Sequence, residues 1–277
     1  MSRIPLLPDR ERPLVFAHRG CSSLAPENTM AAFKKAKEVG APGIELDTHC
    51  CATGELVVAH DDTFKRTAPG DAHGGGKELE ALSLAEIRSI DVGSFFDPRF
   101  GGERPPLLEE ALEEFCPALY IDIELKSRKT RGDPLPGLAA EKLKRLGDRV
   151  AGAVTVSSFN PFCIRAFKER CAELGLRIPT AAIWCDDPEV PWILRRGAGC
   201  FLGRADYAKP DNRQVNRFSS FRWAHVEGRS PVPWTIDDPA LAERMLRLGC
   251  AGVITNRPQD ILPLIRAQGA AFRGGAS

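Results

Sequence analysis

The sequence predicts a single (β/α)8 barrel, and three observations carry that expectation. Short β-rich runs alternate with helical stretches along the whole chain, which is the pattern of parallel βαβ units. Eight such runs can be placed. No Gly-x-Gly-x-x-Gly fingerprint follows the first of them, which argues against the doubly wound open sheet that shares the alternation.

The first run, residues 14–17, leads through a loop into a helix over 29–39, with Asn28 as its N-cap and Gly40 as its stop. Phe33, Ala36 and Val39 would face the core. The second strand, 43–48, continues into a hairpin, because Thr53-Gly54 is a turn signal and 56–59 is again β-rich. A tight fold there sets residue 52 opposite 55, 50 opposite 57 and 47 opposite 60.

Residues 61–106 contain Gly74-Gly75-Gly76, no long strand, and one short helix opened by Ser83 with Glu86 three residues on. That is a capping box, with Leu82 and Ile87 as its staple. We expect this insertion after the second strand to be a small cap on an otherwise single domain spanning 1–277. A helix near 107–115 follows, then strands at 119–125, 153–157, 180–184, 206–209, 232–235 and 252–255, with helices over 138–146, 162–174 and 239–248 between them. Residues 273–277 read as a frayed end.

Composition narrows the function. With 43% hydrophobic and 27% charged residues in 277, the chain falls in the globular range. Lys plus Arg number 38 against 37 Asp plus Glu, so no summed field draws the protein to nucleic acid or anionic lipid. Any phosphate recognition must be local. The nine cysteines are odd in number, lack a Cys-x-x-Cys pair and include the adjacent Cys50 and Cys51, which is no disulfide framework and fits a reduced cytosol. Residues 1–10 lack a signal-like apolar stretch, and no apolar run is long enough for a membrane span. A cytoplasmic protein is expected, its oligomeric state undetermined by sequence.

In a barrel, chemistry gathers at the C-terminal ends of strands, and polar residues cluster there. Glu45 and Asp47 lie two apart on the second strand, so their carboxylates share one face; Glu124 and Lys126 repeat that spacing. Like charges on one buried face repel and lose hydration, at a cost of several kcal/mol unless a cation compensates. Three carboxylates without a cysteine or paired-histidine pattern are hard oxygen donors, favouring Mg²⁺ or Ca²⁺ over zinc, with Mn²⁺ as a further candidate. The hairpin brings His60 beside Asp47, while His18 ends the neighbouring strand, and two imidazoles beside a cation suit general acid and base work. Arg19 and Lys126 add fixed positive charge for an anion.

These residues, as His18-Arg19-Gly20, Pro26-Glu27-Asn28-Thr29, Glu45-Leu46-Asp47, His60-Asp61, Glu124-Leu125-Lys126 and Trp234-Thr235, occur in the order seen in glycerophosphodiester phosphodiesterases, and the resemblance spans roughly residues 14–260. It implies a TIM barrel, a divalent cation held by Glu45, Asp47 and Glu124, His18 and His60 as the acid–base pair, and Arg19 and Lys126 on the phosphate. It further implies a small glycerophosphodiester as substrate, glycerol 3-phosphate and an alcohol as products, a cyclic phosphate between them, and Trp234 as an aromatic wall against the glycerol. Departures are His49-Cys50-Cys51-Ala52-Thr53-Gly54 at the hairpin, where Thr-Lys-Asp-Gly is usual, and Asn256, where Asp is common.

Bland readings stand beside these. His49 reads as a loop or supporting residue, and His73 and His225 as structural. The cysteines read as small buried hydrophobes, with Cys50 and Cys51 alone worth watching for reactivity. Phe95, Phe96 and Phe100 could form an apolar mouth for an acylated substrate, the lysophospholipase D alternative, but are read as the cap's miniature core. A non-catalytic phosphoester-binding barrel is the other alternative.

Overall fold

The computed structural model describes residues 14–70 and 76–274, with 268–274 described by backbone alone. His73, two of the three cap glycines and the residues at either end of the chain, including 275–277, lie outside the described residues. The strands are β1 (Leu14–His18), β2 (Gly43–Cys50), β3 (Leu56–Val58), β4 (Tyr120–Leu125), β5 (Val154–Ser158), β6 (Thr180–Trp184), β7 (Tyr207–Pro210) and β8 (Gly252–Thr255). All but β3 pair in parallel, in the order β7-β6-β5-β4-β2-β1-β8, while β3 is antiparallel to β2. Their residues are buried almost without exception, as expected where helices cover one face and the barrel interior the other.

Residues 232–235 are not the regular strand that the sequence predicts. They nevertheless close the barrel: Val232 N–H donates to the Ala208 carbonyl, and Trp234 N–H to that of Pro210. On the other side Ala251 N–H and Ile254 N–H donate to the carbonyls of Pro231 and Pro233. Pro231 and Pro233 bring no N–H of their own, so the ladder reduces to isolated bridges on the β7 side, Ala208 with Pro231 and Asp211 with Trp234.

Around this sheet pack α1 (Met30–Glu38), α2 (Leu84–Ser89), α3 (Leu108–Phe115), α4 (Leu135–Leu146), α5 (Pro161–Glu173), α6 (Gly199–Leu202), α7 (Arg217–Phe221), α8 (Pro239–Arg247) and α9 (Pro258–Gly274). Asn28 is not the cap of α1. Thr29 is, its hydroxyl accepting from Ala32 N–H at 3.2 Å, while Asn28 sits in the left-handed region at φ 55° with its side chain turned elsewhere. Ser83 and Glu86 form the expected capping box at α2.

The cap has its own apolar cluster, including Phe64, Leu79, Leu82, Ile87 and Ile90 beneath the hairpin residues Cys51 and Val57. Phe95, Phe96 and Phe100 are not in it. Their loop is organised around the Asp91 carboxylate, which accepts from Gly93, Ser94 and Gly102 N–H, and this polar hub leaves Phe95 and Phe96 at the surface. None of the nine cysteines forms a disulfide, and eight are buried. Cys50 is only half-buried, but burial pushes its thiol up to about 11, so it is no activated nucleophile. No helix among the described residues is long and apolar enough to cross a membrane.

Candidate active site

The hairpin register differs by one from the expected pairing: Thr48 faces Val58, His49 faces Val57 and Cys50 faces Leu56. Gly54, at φ 93°, lengthens the turn, which closes with Cys51 N–H on the Glu55 carbonyl, so Asp47 meets Ala59 rather than His60. His60 reaches the site all the same. β3 ends at Val58, which frees the next residues from strand alternation, and buried His49 sits with Nε2 3.3 Å from the His60 carbonyl.

β2 and β4 run in register, Glu45 beside Asp122 and Asp47 beside Glu124. Oxygens of Glu45, Asp47 and Glu124 lie within 4.8 Å of one another, all three residues buried, so the group can hold a metal ion. Their neighbours differ. Asp47 accepts from Asn28 Nδ2 at 2.9 Å and has Lys126 Nζ and Arg19 Nε both at 3.5 Å. Against the cost of burial, Lys126, His60 and Arg19 hold its carboxyl below the ordinary range. Lys126 Nζ also lies 3.0 Å from Glu124, yet burial still raises that carboxyl.

Among the described residues no side-chain cation lies at bonding distance from Glu45. It accepts from the Arg19 backbone N–H at 3.1 Å, and His18 Nε2 lies 3.9 Å away. Burial, and then the charges of Asp47 and Glu124, push it up to about 8. The site is therefore short of positive charge at Glu45, and its oxygen-only donor set is that of a hard divalent cation.

Both histidines line one cavity of about 120 Å³, with Arg19, Glu45, Glu124, Phe159, Lys209 and Trp234. Each ring has a different support. His18 Nδ1 is 2.7 Å from Asn256 Oδ1. That amide is oriented by Asp237, which accepts from its Nδ2 and backbone N–H, both at 2.7 Å. An amide oxygen only accepts, so Nδ1 carries the proton and Nε2 faces the cavity unprotonated. Burial, and then Arg19, lower His18 to about 4. His60 Nδ1 instead meets the Asp61 carboxylate at 2.6 Å, and Asp61 is tied through Arg66 to Glu27, which also accepts from Arg19 at 3.0 Å.

Arg19 lines the cavity, and Lys126 lies against Glu124 and Asp47. Trp234 lines the cavity, its Nε1 donating to the Lys209 carbonyl at 3.0 Å and its ring edge-on to Phe159. Sequence reasoning missed Asn28 as a partner of Asp47, Asp61 and Asn256 as supports of the imidazoles, and the interior trio of Lys209, Asp122 and Ser157. Lys209 is paired with Asp122 and donates to Ser157 Oγ at 2.9 Å, and Ser157 Oγ in turn donates to Asp122 at 3.1 Å. Asp122 alone carried a legible signal, the same two-residue offset from Glu124 that singles out Glu45 and Asp47.

Residues 18–260 match the model of the glycerophosphoryl diester phosphodiesterase family. A glycerophosphodiester phosphodiesterase of Caldanaerobacter subterraneus subsp. tengcongensis is 33% identical over 261 residues, 93% of this chain and 100% of that one. One from Bacillus subtilis is 30% identical over 263 residues, 90% of this chain and 85% of that one. The solved glycerophosphodiester phosphodiesterase of Agrobacterium tumefaciens superposes with a TM-score of 0.71 at 25% identity, covering 90% of this chain and 98% of that one. An Oleispira antarctica phosphodiesterase, solved in complex with the product sn-glycerol-3-phosphate, gives 0.73 at 24% identity over 92% and 97% of the two chains, a likeness of fold.

Proposed function

The chain belongs to the glycerophosphoryl diester phosphodiesterase family, and from that premise we propose that it hydrolyses glycerophosphodiesters to glycerol 3-phosphate and an alcohol, with a divalent cation and His18 and His60 as the proton-transfer pair. The observation that carries this reading is the convergence of two differently supported imidazoles on one cavity lined also by Glu45 and Glu124, whose carboxylates cluster with that of Asp47. Glu45, Asp47 and Glu124 are the residues to hold the cation, Mg²⁺ or Ca²⁺ by donor type and Mn²⁺ as the transition-metal candidate. Such an ion polarises substrate oxygens and offsets charge growing at phosphorus, an effect worth several kcal/mol.

Arg19 and Lys126 grip the phosphate oxygens, Arg19 through its fork and Lys126 as a point charge. Trp234, its indole N–H already committed to Lys209, offers a fixed wall to the glycerol carbons. His18 Nε2 carries a lone pair and removes the proton from the glycerol hydroxyl adjacent to the phosphate. Attack of that oxygen breaks the bond to the head-group oxygen and leaves a cyclic phosphate. His60, its ring held through Nδ1 by Asp61, delivers the proton to the departing alcohol. In the second half water opens the ring, with the proton roles reversed. The cap at 61–106, read as an insertion in one barrel domain, supplies Asp61 and Arg66 to this machinery. A reduced, cytoplasmic location suits nine cysteines that form no disulfide.

Kinetics on two substrates test the reading. His18→Ala and His60→Ala should each lose about 10²–10⁴-fold in kcat on glycerophosphocholine while still binding Ca²⁺. On a glycerophosphodiester with a p-nitrophenol leaving group, which departs without a proton, His60→Ala should recover most of its activity and His18→Ala should not. Recovery by His18→Ala instead reverses the two assignments. Activity unaffected by either change removes the acid–base reading, and a wild-type protein inactive on both substrates removes the hydrolase.

A further inference from the structure

The two strands that carry the cation site hold four interior carboxylates, not three. Glu45 and Asp47 are two apart on β2, Asp122 and Glu124 are two apart on β4, and the register sets them in two rungs, Glu45 beside Asp122 and Asp47 beside Glu124. All four are buried, Asp122 completely. Only Asp122 is outside the cluster able to share an ion. What distinguishes it is Lys209, which reaches from β7 to pair with it, braced by Ser157 from β5. Lys209 also lines the cavity with Glu45 and Glu124, so this residue is part of the site's wall.

A buried ammonium within the field of an ion site has two effects of the same sign. Its charge opposes a second cation, and its bond to Asp122 removes a carboxylate that would attract one. Lys209 pairs with Asp122, which stands beside Glu45 in the strand register and two residues from Glu124, so its charge lies close to the ligand carboxylates.

Granting the cation site proposed above, on which this rests, we infer that Lys209 sequesters Asp122 from the ligand set, and that this pair holds the protein's affinity for its divalent cation below what the four carboxylates would give. Lys209 is thus a built-in brake on cation binding and Asp122 the carboxylate it masks, so the two residues act on the ion in opposite directions.

Calcium and magnesium chlorides alone, titrated calorimetrically into the chelator-stripped full chain, give the test, with the cation-induced rise in melting temperature as a second readout. Lys209→Met should bind at least about tenfold more tightly than wild type, since it removes a like charge and releases a carboxylate. Asp122→Asn, which leaves the ammonium without its counter-charge, should bind at least about fivefold more weakly. The double variant, in which the whole pair is neutral, should return to within about threefold of wild type. If Lys209→Met proves too unstable to purify, the weakening in Asp122→Asn and the return in the double variant decide the matter. Wild type and single variants of equal affinity overturn the brake and leave the cation site standing. A wild-type chain that binds neither cation overturns the site itself and the brake with it.

Discussion

The two rungs of carboxylates use the same residue types on the same pair of strands, yet they solve the burial of charge in different ways. Asp47 is saturated from the chain itself by Asn28, Lys126 and Arg19, and is held below the ordinary carboxylate range. One residue pair deeper, Asp122 is matched by Lys209, and Glu45 is left to a backbone N–H and a neutral imidazole, rising to about 8. A protein that pays for three cations could have placed one at Glu45. On the proposed reading, that gap among the described residues leaves Glu45 to the cation, while Asp47 is held in place by the chain itself.

The largest expected contrast lies in the cation-free stability of two isosteric variants. Asp47→Asn should destabilise the chelated protein by about 3–5 kcal/mol, because it leaves Lys126 and Arg19 buried with one counter-charge fewer. Glu45→Gln should act oppositely and stabilise it by about 1–4 kcal/mol at pH 9, having removed a buried charge with no ionic partner. Urea denaturation in excess chelator measures both. The comparison breaks if the two changes have the same sign.

A pH series extends that contrast. The folded pKa of Glu45 lies above its unfolded value, so the folded state binds the extra proton. The stabilisation from this group is therefore complete below the ordinary glutamate range and is lost as pH rises through about 8. Asp47, with its pKa depressed, contributes stability that is present above the ordinary aspartate range and lost on acidification. Chelated wild type should weaken from pH 6 to 9, and Glu45→Gln should be flatter over the same interval. Equal slopes, read from urea midpoints, would contradict the assignment of Glu45 as the unpaired group.

Asn28 sharpens the upper rung alone. Its amide donates to Asp47 Oδ2, and its Oδ1 accepts from Asp47 N–H at 3.3 Å. Asn28→Ala should cost about 1.5–3 kcal/mol, the range for a hydrogen bond to a charged group. Asn28→Gly loses the same bonds but tolerates the positive φ, and should be less damaging by about 1 kcal/mol. A glycine variant as stable as wild type would mean that the bonds to Asp47 carry no weight.

How much of this could be read from sequence follows from the range of each interaction. Strand alternation is local, so Glu45 with Asp47 and Glu124 with Lys126 are legible as same-face pairs, and the order of βα units gives the barrel. Asp122 obeys the same alternation, but its meaning depends on Lys209, 87 positions away on another strand. No local pattern announces that partner. Asn28 was obscured differently, because Asn-Thr offers two competent caps in succession and only the fold shows that Thr29 takes the helix while Asn28 turns to Asp47. The hairpin register failed by one residue because a turn's length is set by backbone dihedrals such as that of Gly54, which composition does not reveal. His60 still reached the cavity, since it lies beyond the end of β3 and is placed by His49. The closing segment 231–236 has the burial of a strand without its donors, and its two prolines were visible in the sequence as a reason to doubt a regular ladder.

The smallest effect belongs to Ser157, and it separates the rungs from the other side. Ser157 pairs in register with Glu124 of the upper rung, yet its hydroxyl serves the lower one, donating to Asp122 and accepting from Lys209. Ser157→Ala keeps the direct contact between Asp122 and Lys209 and removes only the brace, so it should cost about 1.5 kcal/mol, the lower end of the range for a hydrogen bond to a charged group. Because Asp47 has its own partners, that loss should add to the cost of Asn28→Ala within about 0.5 kcal/mol in the double variant. A coupling well above that value, from urea denaturation of the four-protein cycle, would mean that the two rungs share one network and are not independent solutions to the same burial.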